Sequence, residues 1–258
     1  MKHLLVGIDF SKSADRALAY AEEIALQMKA SISLVHIVPP AGTTEADEAK
    51  KRLTELADSS GSRGIKTAAY IYEGPVIETL KRVIDDGDCD LVVMGCQGEN
   101  FLPENPWGSS TTSLMEDTRI PILAVPDLAP VKYPRRFLLA TDKICPRHIR
   151  QLTPMLELLR ADRTDLLLFH YLQATDRSTP DREYGRLLEG IKHRFYYQVD
   201  NQQPIGNAVV EFTELIDADI LVVTHRDGHW LGSPTSDSVA RRVTWASSVP
   251  VLVLQDSF

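Results

Sequence analysis

The chain has 258 residues, of which 43% are hydrophobic, and its formal net charge at pH 7 is −8. The length is enough for one large or two medium domains, and the hydrophobic fraction predicts packed cores rather than disorder. The negative charge argues against broad binding to nucleic acid, and no apolar run approaches the roughly 18 residues of a membrane span. The N-terminal segment lacks the long apolar stretch of a signal peptide. We therefore expect a cytoplasmic protein that binds neither nucleic acid nor membranes.

The first 126 residues alternate short apolar runs with amphipathic segments. The runs predict strands at residues 4–8, 32–38, 66–72, 90–94 and 122–125. The segments between them predict helices at residues 11–28, 45–58, 74–84 and 109–117. Ser11 or Ser13 is suited to cap the first helix, and Pro75 suits the first turn of the third. This alternation is typical of a parallel sheet that is covered by helices on both faces.

The second half of the chain repeats the first. The segments "CDLVVMG", "LLVGIDF" and "LVHIV" have counterparts in "ADILVVT", "FLLATDK" and "LFHYL". These matches, and two predicted strands that each follow a proline, align residues of the same type. The aligned residues are Asp9 with Asp142, His36 with His170, Asp90 with Asp219, and Pro121 with Pro250. We therefore predict an α/β protein of two tandem five-stranded parallel open sheets flanked by helices. The domains are 1–126 and 135–258, joined by a Pro-rich linker at 127–134.

A glycine-containing loop, "GCQGENFLPENPWGSS", follows the fourth strand of the first copy. Gly95, Gly98 and Gly108 give it the spacing Gly-x2-Gly-x9-Gly-Ser. Ligands of open α/β sheets bind beyond the carboxyl ends of the strands, and unpaired N–H groups at a helix start favour an anion. The loop also carries Glu99 and Glu104 and no Lys or Arg. The alternative is a strand-to-helix turn whose glycines serve conformation only.

The glycine spacing, together with "VGIDF", "LVHIV" and "IPILAVP", resembles the universal stress protein family over essentially the whole chain. The resemblance implies a Rossmann-like fold that binds adenine nucleotides, with ATP as the ligand and Mg²⁺ or Mn²⁺ beside its phosphates. It also implies a set of nucleotide-binding residues: Ile8 and Asp9 beside the adenosine, Ile37 at the adenine, Met94 and Gly95 along the ribose and phosphates, and Gly98, Gly108, Ser109 and Ser110 at the phosphates.

Two acidic residues depart from the family pattern. Many nucleotide-binding members have Arg or Lys directly after the second glycine, where this chain has Glu99, and Glu104 adds a second negative charge. Two like charges 4 Å apart cost about 1 kcal/mol in water and about 4 kcal/mol at an effective dielectric of 20. Whether the loop is an ATP site or only the remnant of one therefore depends on the direction in which the Glu99 and Glu104 side chains point.

The second copy has lost the three glycines of this loop. Thr224, Asp227 and Asp237 stand at the matching positions. A carboxylate at a helix start can cap the helix and occupy the anion site itself. We therefore predict that the second domain does not bind ATP in the manner of the family, although Gly228 and Gly232 leave room for a different loop.

Other polar residues give weaker signals of chemistry. His225, Asp227 and His229 lie close together in "HRDGHW", which suggests either a metal site or, as we favour, a solvated loop. We interpret His36 and His170 as structural histidines, and the cysteines as buried thiols. No arrangement of a nucleophile, paired carboxylates or a metal cluster emerges, so we predict no catalytic residue and no metal site.

Three hypotheses of function follow. The first is a stress-response protein whose N-terminal domain binds ATP as a regulatory ligand, with a C-terminal domain that is structural or binds a partner. The second is a nucleotide-independent scaffold of the same fold. The third is an enzyme, either a slow ATPase or an adenylating transferase, which lacks an evident Lys or Arg for the γ-phosphate. We expect the two domains to form an intramolecular pseudo-dimer through their fifth strands, with a further homodimer left open.

Overall fold

The computed structural model describes residues 1–38, 43–96, 114–115, 118–141, 145–146, 148–159, 164–172, 179–199, 203–226, 229–230 and 246–255. The chain divides into two compact units: unit 1 comprises Met1–Tyr133 and unit 2 comprises Pro134–Phe258. None of the helices in the described ranges combines the length and the apolar character needed to cross a membrane.

Unit 1 contains a parallel sheet with the strand order β3-β2-β1-β4-β5. Its strands are β1 (His3–Gly7), β2 (Ser31–Val38), β3 (Thr67–Glu73), β4 (Leu91–Gly95) and β5 (Ile122–Val125). Its described helices are α1 (Lys12–Met28), α2 (Thr43–Ser62) and α3 (Val76–Asp86). The predicted α/β fold is therefore confirmed. Of the predicted helix at 109–117, only residues 114 and 115 belong to the described part of the chain.

The start of α1 agrees with its predicted cap, whereas the start of α3 does not agree. The backbone N–H of Ala14 donates to the Ser11 hydroxyl over 3.2 Å, so Ser11 caps α1. Pro75 is the N-cap residue of α3 and lies before the first turn, because its extended backbone (φ −61°, ψ 128°) precedes the helical residues. Gly74, at φ 143°, supplies the left-handed turn that leads into this helix.

Unit 2 contains the equivalent sheet, in the order β11-β9-β6-β7-β8. Its parallel strands are β6 (Arg136–Thr141), β7 (Asp165–Leu172), β8 (His193–Val199), β9 (Ile220–Arg226) and β11 (Val251–Gln255). Its described helices are α4 (Thr153–Leu158), which follows a 3-10 turn at Ile149–Leu152, α5 (Asp181–Leu187) and α6 (Ile205–Leu215).

The segment "HRDGHW" differs from its prediction. Instead of a solvated loop, it contains the end of β9 and a short strand, β10 (His229–Trp230), that pairs with β9 in antiparallel fashion. Trp230 lies opposite His225, and His229 lies opposite Arg226. Residues 227 and 228, between the two strands, lie outside the described residues.

The internal repeat extends to individual hydrogen bonds. The backbone N–H groups of Lys2 and His3 donate to Asp90 Oδ2 over 2.5 and 3.0 Å. Those of Arg135 and Arg136 donate to Asp219 Oδ2 over 2.8 and 2.9 Å. We call each aspartate with its two amides a strand-start clamp, because it holds the beginning of the first strand of its sheet. The two clamps support the pairing of Asp90 with Asp219.

The segment predicted to be a linker contacts α1. The guanidinium Nε of Arg16 donates to the carbonyl of Asp127 over 2.9 Å. The Tyr133 hydroxyl lies 3.6 Å from Met28 Sδ, and burial raises the pKa of this hydroxyl to about 12. Residues 127–133 are therefore held on the surface of unit 1 by both ends of α1.

Candidate functional site

The strand order of unit 1 creates a crevice at a defined place. From β1 the chain adds β2 and β3 on one side and then returns to add β4 and β5 on the other. The direction reverses between β1 and β4, and ligands of such sheets bind outside the carboxyl ends of the strands at this switch point.

Five predicted site residues lie at this edge of the sheet. Ile8 and Asp9 directly follow β1, Met94 and Gly95 end β4, and Ile37 is the penultimate residue of β2. The topology therefore brings together residues from three neighbouring strands that are far apart in the sequence. The other predicted residues, Gly98, Gly108, Ser109 and Ser110, lie outside the described residues, as do Glu99 and Glu104.

Asp9 is held by the first turn after β1. Its Oδ1 accepts from the Ser11 backbone N–H over 2.9 Å and from the Ser11 hydroxyl over 2.5 Å. The hydroxyl of Ser11 is in turn 2.9 Å from that of Ser13. Ser11 and Ser13 are buried, whereas Asp9 is exposed. One carboxylate oxygen is thus fixed by the protein, while the side chain faces solvent at the switch point.

A contact between Phe10, His36 and Arg52 supports the same turn. Phe10 has a left-handed backbone (φ 61°), which is uncommon for a residue other than glycine. Its ring centroid is 4.6 Å from that of His36, and the Arg52 guanidinium lies 4.0 Å above it. His36 Nδ1 donates to the carbonyl of Ile8 over 2.7 Å. These contacts therefore hold Ile8 and Phe10, the residues on both sides of Asp9.

Gly95 lies where the end of β4 meets the beginning of α1. A Cβ atom added to Gly95 would stand 2.6 Å from the carbonyl carbon of Ser13 and 2.7 Å from both its carbonyl oxygen and its Oγ. Real Cβ contacts are not this short, so only glycine fits without movement of the helix. Gly95 therefore has a packing role that is independent of any ligand.

Cys96 follows Gly95, and its side chain lies in the core. Its side chain is 5% exposed, and burial together with the nearby Asp127 carboxylate raises the pKa of its thiol. Burial also raises the pKa of the Cys89 thiol to about 11, with smaller contributions from Asp90 and Asp88. The prediction of buried thiols is confirmed for these two cysteines, whereas Cys145 is partly exposed.

The burial of Cys89 and Cys96, the raised pKa of their thiols and the partial exposure of Cys145 predict the order in which the thiols react. Since the thiolate is the reactive form, native protein treated with dithionitrobenzoate at pH 8 should release one equivalent from Cys145 quickly. Cys89 and Cys96 should react only after denaturant is added. In the variant Cys145→Ser the fast phase should disappear, and a fast phase that persists in this variant would contradict the assignment.

The same edge of unit 2 carries buried polar side chains. Thr141 ends β6, His170 lies near the end of β7, Thr224 and His225 lie near the end of β9, and Gln255 ends β11. Each of the five is at most 7% exposed. His170 Nδ1 donates to the carbonyl of Thr141 over 3.1 Å, which repeats the bond between His36 and Ile8 in unit 1.

Sequence reasoning missed three residues of this edge: Ser13, Phe10 and Arg52. The sequence had suggested Ser13 only as an alternative helix cap to Ser11. Nothing in the sequence indicated the positive φ of Phe10. Arg52 is one of several charges on α2, and its role depends on a contact with a residue more than forty positions away.

Comparisons with known proteins agree on one family. The family model "Universal stress protein family" matches residues 1–126. The chain is 30% identical over 134 residues to universal stress protein Sll1654 of Synechocystis sp., a match that covers 48% of this chain and 85% of that protein. It is 23% identical over 152 residues to universal stress protein MJ0577 of Methanocaldococcus jannaschii, covering 48% of this chain and 94% of that protein.

Solved structures match the chain over its full length. A universal stress protein from Archaeoglobus fulgidus DSM 4304 has a TM-score of 0.78 at 18% identity and covers 99% of this chain and 98% of its own. A functionally unknown protein, PA1789 from Pseudomonas aeruginosa PAO1, has a TM-score of 0.67 at 16% identity, covering 99% and 92%. At these identities the likeness shows the fold alone.

Proposed function

The chain belongs to the universal stress protein family, and on that premise we propose that unit 1 binds an adenine nucleotide, ATP, as a regulatory ligand in a stress response. Unit 2 has a structural or partner-binding role and does not bind ATP in the manner of the family. The binding residues are those that the family resemblance implies, centred on Asp9 and the loop that begins at Gly95.

The observation that carries this proposal is the fixed carboxylate at the switch point. Asp9 Oδ1 is held by two hydrogen bonds from Ser11, which leaves the exposed side of the carboxylate to accept from a ribose hydroxyl. An acceptor that is oriented before the ligand arrives loses little entropy on binding. Ile8 and Ile37 supply the apolar surface and the backbone groups for the base, and Met94 and Gly95 direct the phosphates toward the following loop.

Mg²⁺ or Mn²⁺ would bind together with the phosphates. Glu99 and Glu104 add negative charge to a loop without a Lys or Arg, and a divalent cation offsets that charge. The absence of a proposed base or nucleophile in this set favours binding over turnover, so slow hydrolysis of ATP is the weaker alternative.

One observation favours a second candidate function, a nucleotide-independent scaffold. The space beside Gly95 is filled by Ser13, so this glycine is required for packing whether or not a nucleotide binds. The two candidates differ in a direct measurement, since only the first predicts that purified protein retains or takes up ATP. Pairing of the two domains and a homodimer remain predictions, which light scattering on the intact chain can check.

The variant Gly108→Asp tests the proposed phosphate loop. It introduces into unit 1 the residue that stands at the matching position of unit 2, Asp237. Because the new carboxylate would repel the phosphates by about 1 to 4 kcal/mol, we expect the affinity for ATP to fall about fivefold or more in calorimetry.

The matched control for this experiment is Gly61→Asp. It adds the same charge at the end of α2, where an added Cβ meets nothing within 4 Å. It should leave the affinity for ATP unchanged. A wild-type chain that takes up no ATP, or a Gly108→Asp variant that binds it as tightly as wild type does, would rule out the proposed site.

A further inference from the structure

The turn after β1 contains a residue in an unfavourable backbone conformation. Phe10, which directly follows the exposed Asp9, has φ 61°, in the left-handed region that residues other than glycine rarely adopt. The other two such residues in the described ranges, Lys29 and Asp217, lie at the ends of α1 and α6, where this conformation is common. Away from helix ends it costs free energy and persists only where surrounding contacts enforce it, mainly at functional sites. The contacts of Phe10 are therefore candidates for a role in the site.

The conformation of Phe10 decides where the Asp9 carboxylate points. Asp9 Oδ1 accepts from the backbone N–H of Ser11 over 2.9 Å, and this bond closes a turn around Phe10. An aspartate that bonds the backbone two residues further on forms an Asx turn, whose geometry depends on the residue between. An ordinary negative φ at Phe10 would turn the Ser11 N–H away from the carboxylate. The orientation of Asp9 therefore depends on the contacts that hold Phe10.

The Phe10 side chain is held by residues of two other elements. Its ring centroid lies 4.6 Å from that of His36 on β2 and 4.0 Å from the guanidinium carbon of Arg52 on α2. His36 is bound to the Ile8 carbonyl, so it belongs to the same strand ends as Asp9. Arg52, by contrast, reaches the turn from a helix and is more than forty residues away in the sequence.

The packing of α2 places Arg52 for this contact. Ala49 and Leu53 are 6% and 1% exposed, which fixes the backbone of the intervening turn, while the Arg52 side chain is exposed. Arg63, which directly follows α2, is paired with two glutamates of α1, whereas Arg52 forms no ion pair with a carboxylate of the described ranges. The positive charge of Arg52 therefore faces the Phe10 ring, in the arrangement of a cation–π interaction.

We propose that Arg52 is a positioning residue of the nucleotide site. By holding the Phe10 ring, its guanidinium keeps the turn closed and the Asp9 carboxylate oriented to accept from a ribose hydroxyl. Arg52 thereby sets how strongly the site prefers a ribonucleotide over a nucleotide that lacks the ribose hydroxyls. The inference rests on the nucleotide site proposed for unit 1, and it assigns to Arg52 no contact with the ligand itself.

Calorimetry on the full chain tests this role, with ATP and dideoxy-ATP, which lacks both ribose hydroxyls, as separate probes. A ribose hydroxyl bonded to a carboxylate should make the wild-type chain prefer ATP by about tenfold or more. A cation–π contact at an exposed site corresponds to a factor of about two to five, so Arg52→Met should lower the preference by that factor. The affinity for dideoxy-ATP should stay as in the wild type. Arg52→Lys, which keeps a cation for the ring, should recover part of the preference.

The variant Phe10→Gly separates positioning from any other role of Arg52. Glycine adopts a positive φ without steric cost and has no ring, so Arg52 has nothing to hold in this background. Adding Arg52→Met to Phe10→Gly should therefore leave the preference for ATP unchanged. The matched control is Lys51→Met, which removes a cation from the neighbouring exposed position of α2 and should alter the affinity for neither nucleotide.

Two results in calorimetry would overturn the proposal. One is an equal loss of affinity for both nucleotides in Arg52→Met, which would mean that Arg52 binds phosphate or only stabilises α2. The other is a loss of preference that Arg52→Met still causes in the Phe10→Gly background.

Amide exchange in the free chain, followed by nuclear magnetic resonance, tests the turn without any ligand. The N–H groups of Ser11 and Ala14, which donate to Asp9 and to the Ser11 hydroxyl, should exchange faster in Arg52→Met than in Lys51→Met. Unchanged exchange would overturn the role of Arg52. If the wild-type chain binds no ATP, the function proposed for unit 1 fails, and the exchange rates alone decide whether Arg52 holds the turn.

Discussion

Replacing Gly95 with alanine is expected to lower the free energy of unfolding of unit 1 by about 3 kcal/mol, the upper part of the range for overpacked interiors. The new methyl group would lie 2.6 Å from the Ser13 carbonyl carbon and 2.7 Å from its carbonyl oxygen. Two of the three closest atoms are backbone atoms of a helix, so rotation of a side chain cannot relieve the contact.

Ser13 has little freedom to move away. Its side chain is 2% exposed, and its hydroxyl is 2.9 Å from that of Ser11, which caps α1 and holds Asp9. A shift of Ser13 would therefore disturb the cap of the helix and the orientation of the carboxylate at the switch point. Gly95→Ala should for this reason weaken ATP binding as well as stability, even in the fraction of protein that stays folded.

Urea unfolding followed by circular dichroism measures the loss of stability, and hydrogen exchange of peptides from β4 and α1 assigns it to unit 1. The matched control is Gly61→Ala, where the added methyl group meets no atom within 4 Å. This control should be neutral or slightly stabilising, because alanine is the better helix former. A Gly95→Ala variant as stable as the control would show that α1 yields easily at Ser13.

The five strands of unit 1 could be predicted from the sequence because each is a short, largely apolar run between turn residues. The end of α2 could not be predicted in that way. Ser59, Ser60 and Gly61 suggest a helix end at residue 58, yet α2 continues to Ser62. Ser60 is fully buried, and its hydroxyl donates to Glu22 on α1 over 2.5 Å. A contact between distant residues thus overrides the local preference for a turn.

In the candidate site, too, some features could be predicted from the sequence and others depend on contacts between distant residues. The family resemblance implied that Asp9, Ile37 and Gly95 belong to one site, and they do end at one edge because the strands are parallel. It did not predict why Gly95 must be glycine, since Ser13 approaches it from another element. Nor did it predict the contacts of Phe10 with His36 and Arg52, which join three elements. The sequence pattern thus predicts where in the sheet a residue lies, whereas its role depends on contacts with residues from other elements.

The two strand-start clamps allow a prediction in which each unit serves as the reference for the other. Asp90→Ala and Asp219→Ala should each lower the free energy of unfolding by about 2 kcal/mol, because each removes a carboxylate that accepts two backbone N–H groups. Hydrogen exchange should rise in β1 for the first variant and in β6 for the second. The exposed Asp85 of α3 provides the control, and Asp85→Ala should change neither strand.

Equal losses of stability in the two clamp variants would follow from the similar hydrogen-bond geometry of the clamps, not from identity of the residues that they hold. The bonds measure 2.5 and 3.0 Å at Asp90 and 2.8 and 2.9 Å at Asp219, although the residues they hold differ in each unit. The amino ends of both sheets thus keep one arrangement. The carboxyl ends differ, since unit 2 has Thr224 at the position where unit 1 has Gly95. If the clamps prove equivalent while ATP binds only to unit 1, the divergence of the two units will be confined to the edge where ligands bind. Exchange that rises in both strands with either variant would instead show that the units do not unfold independently.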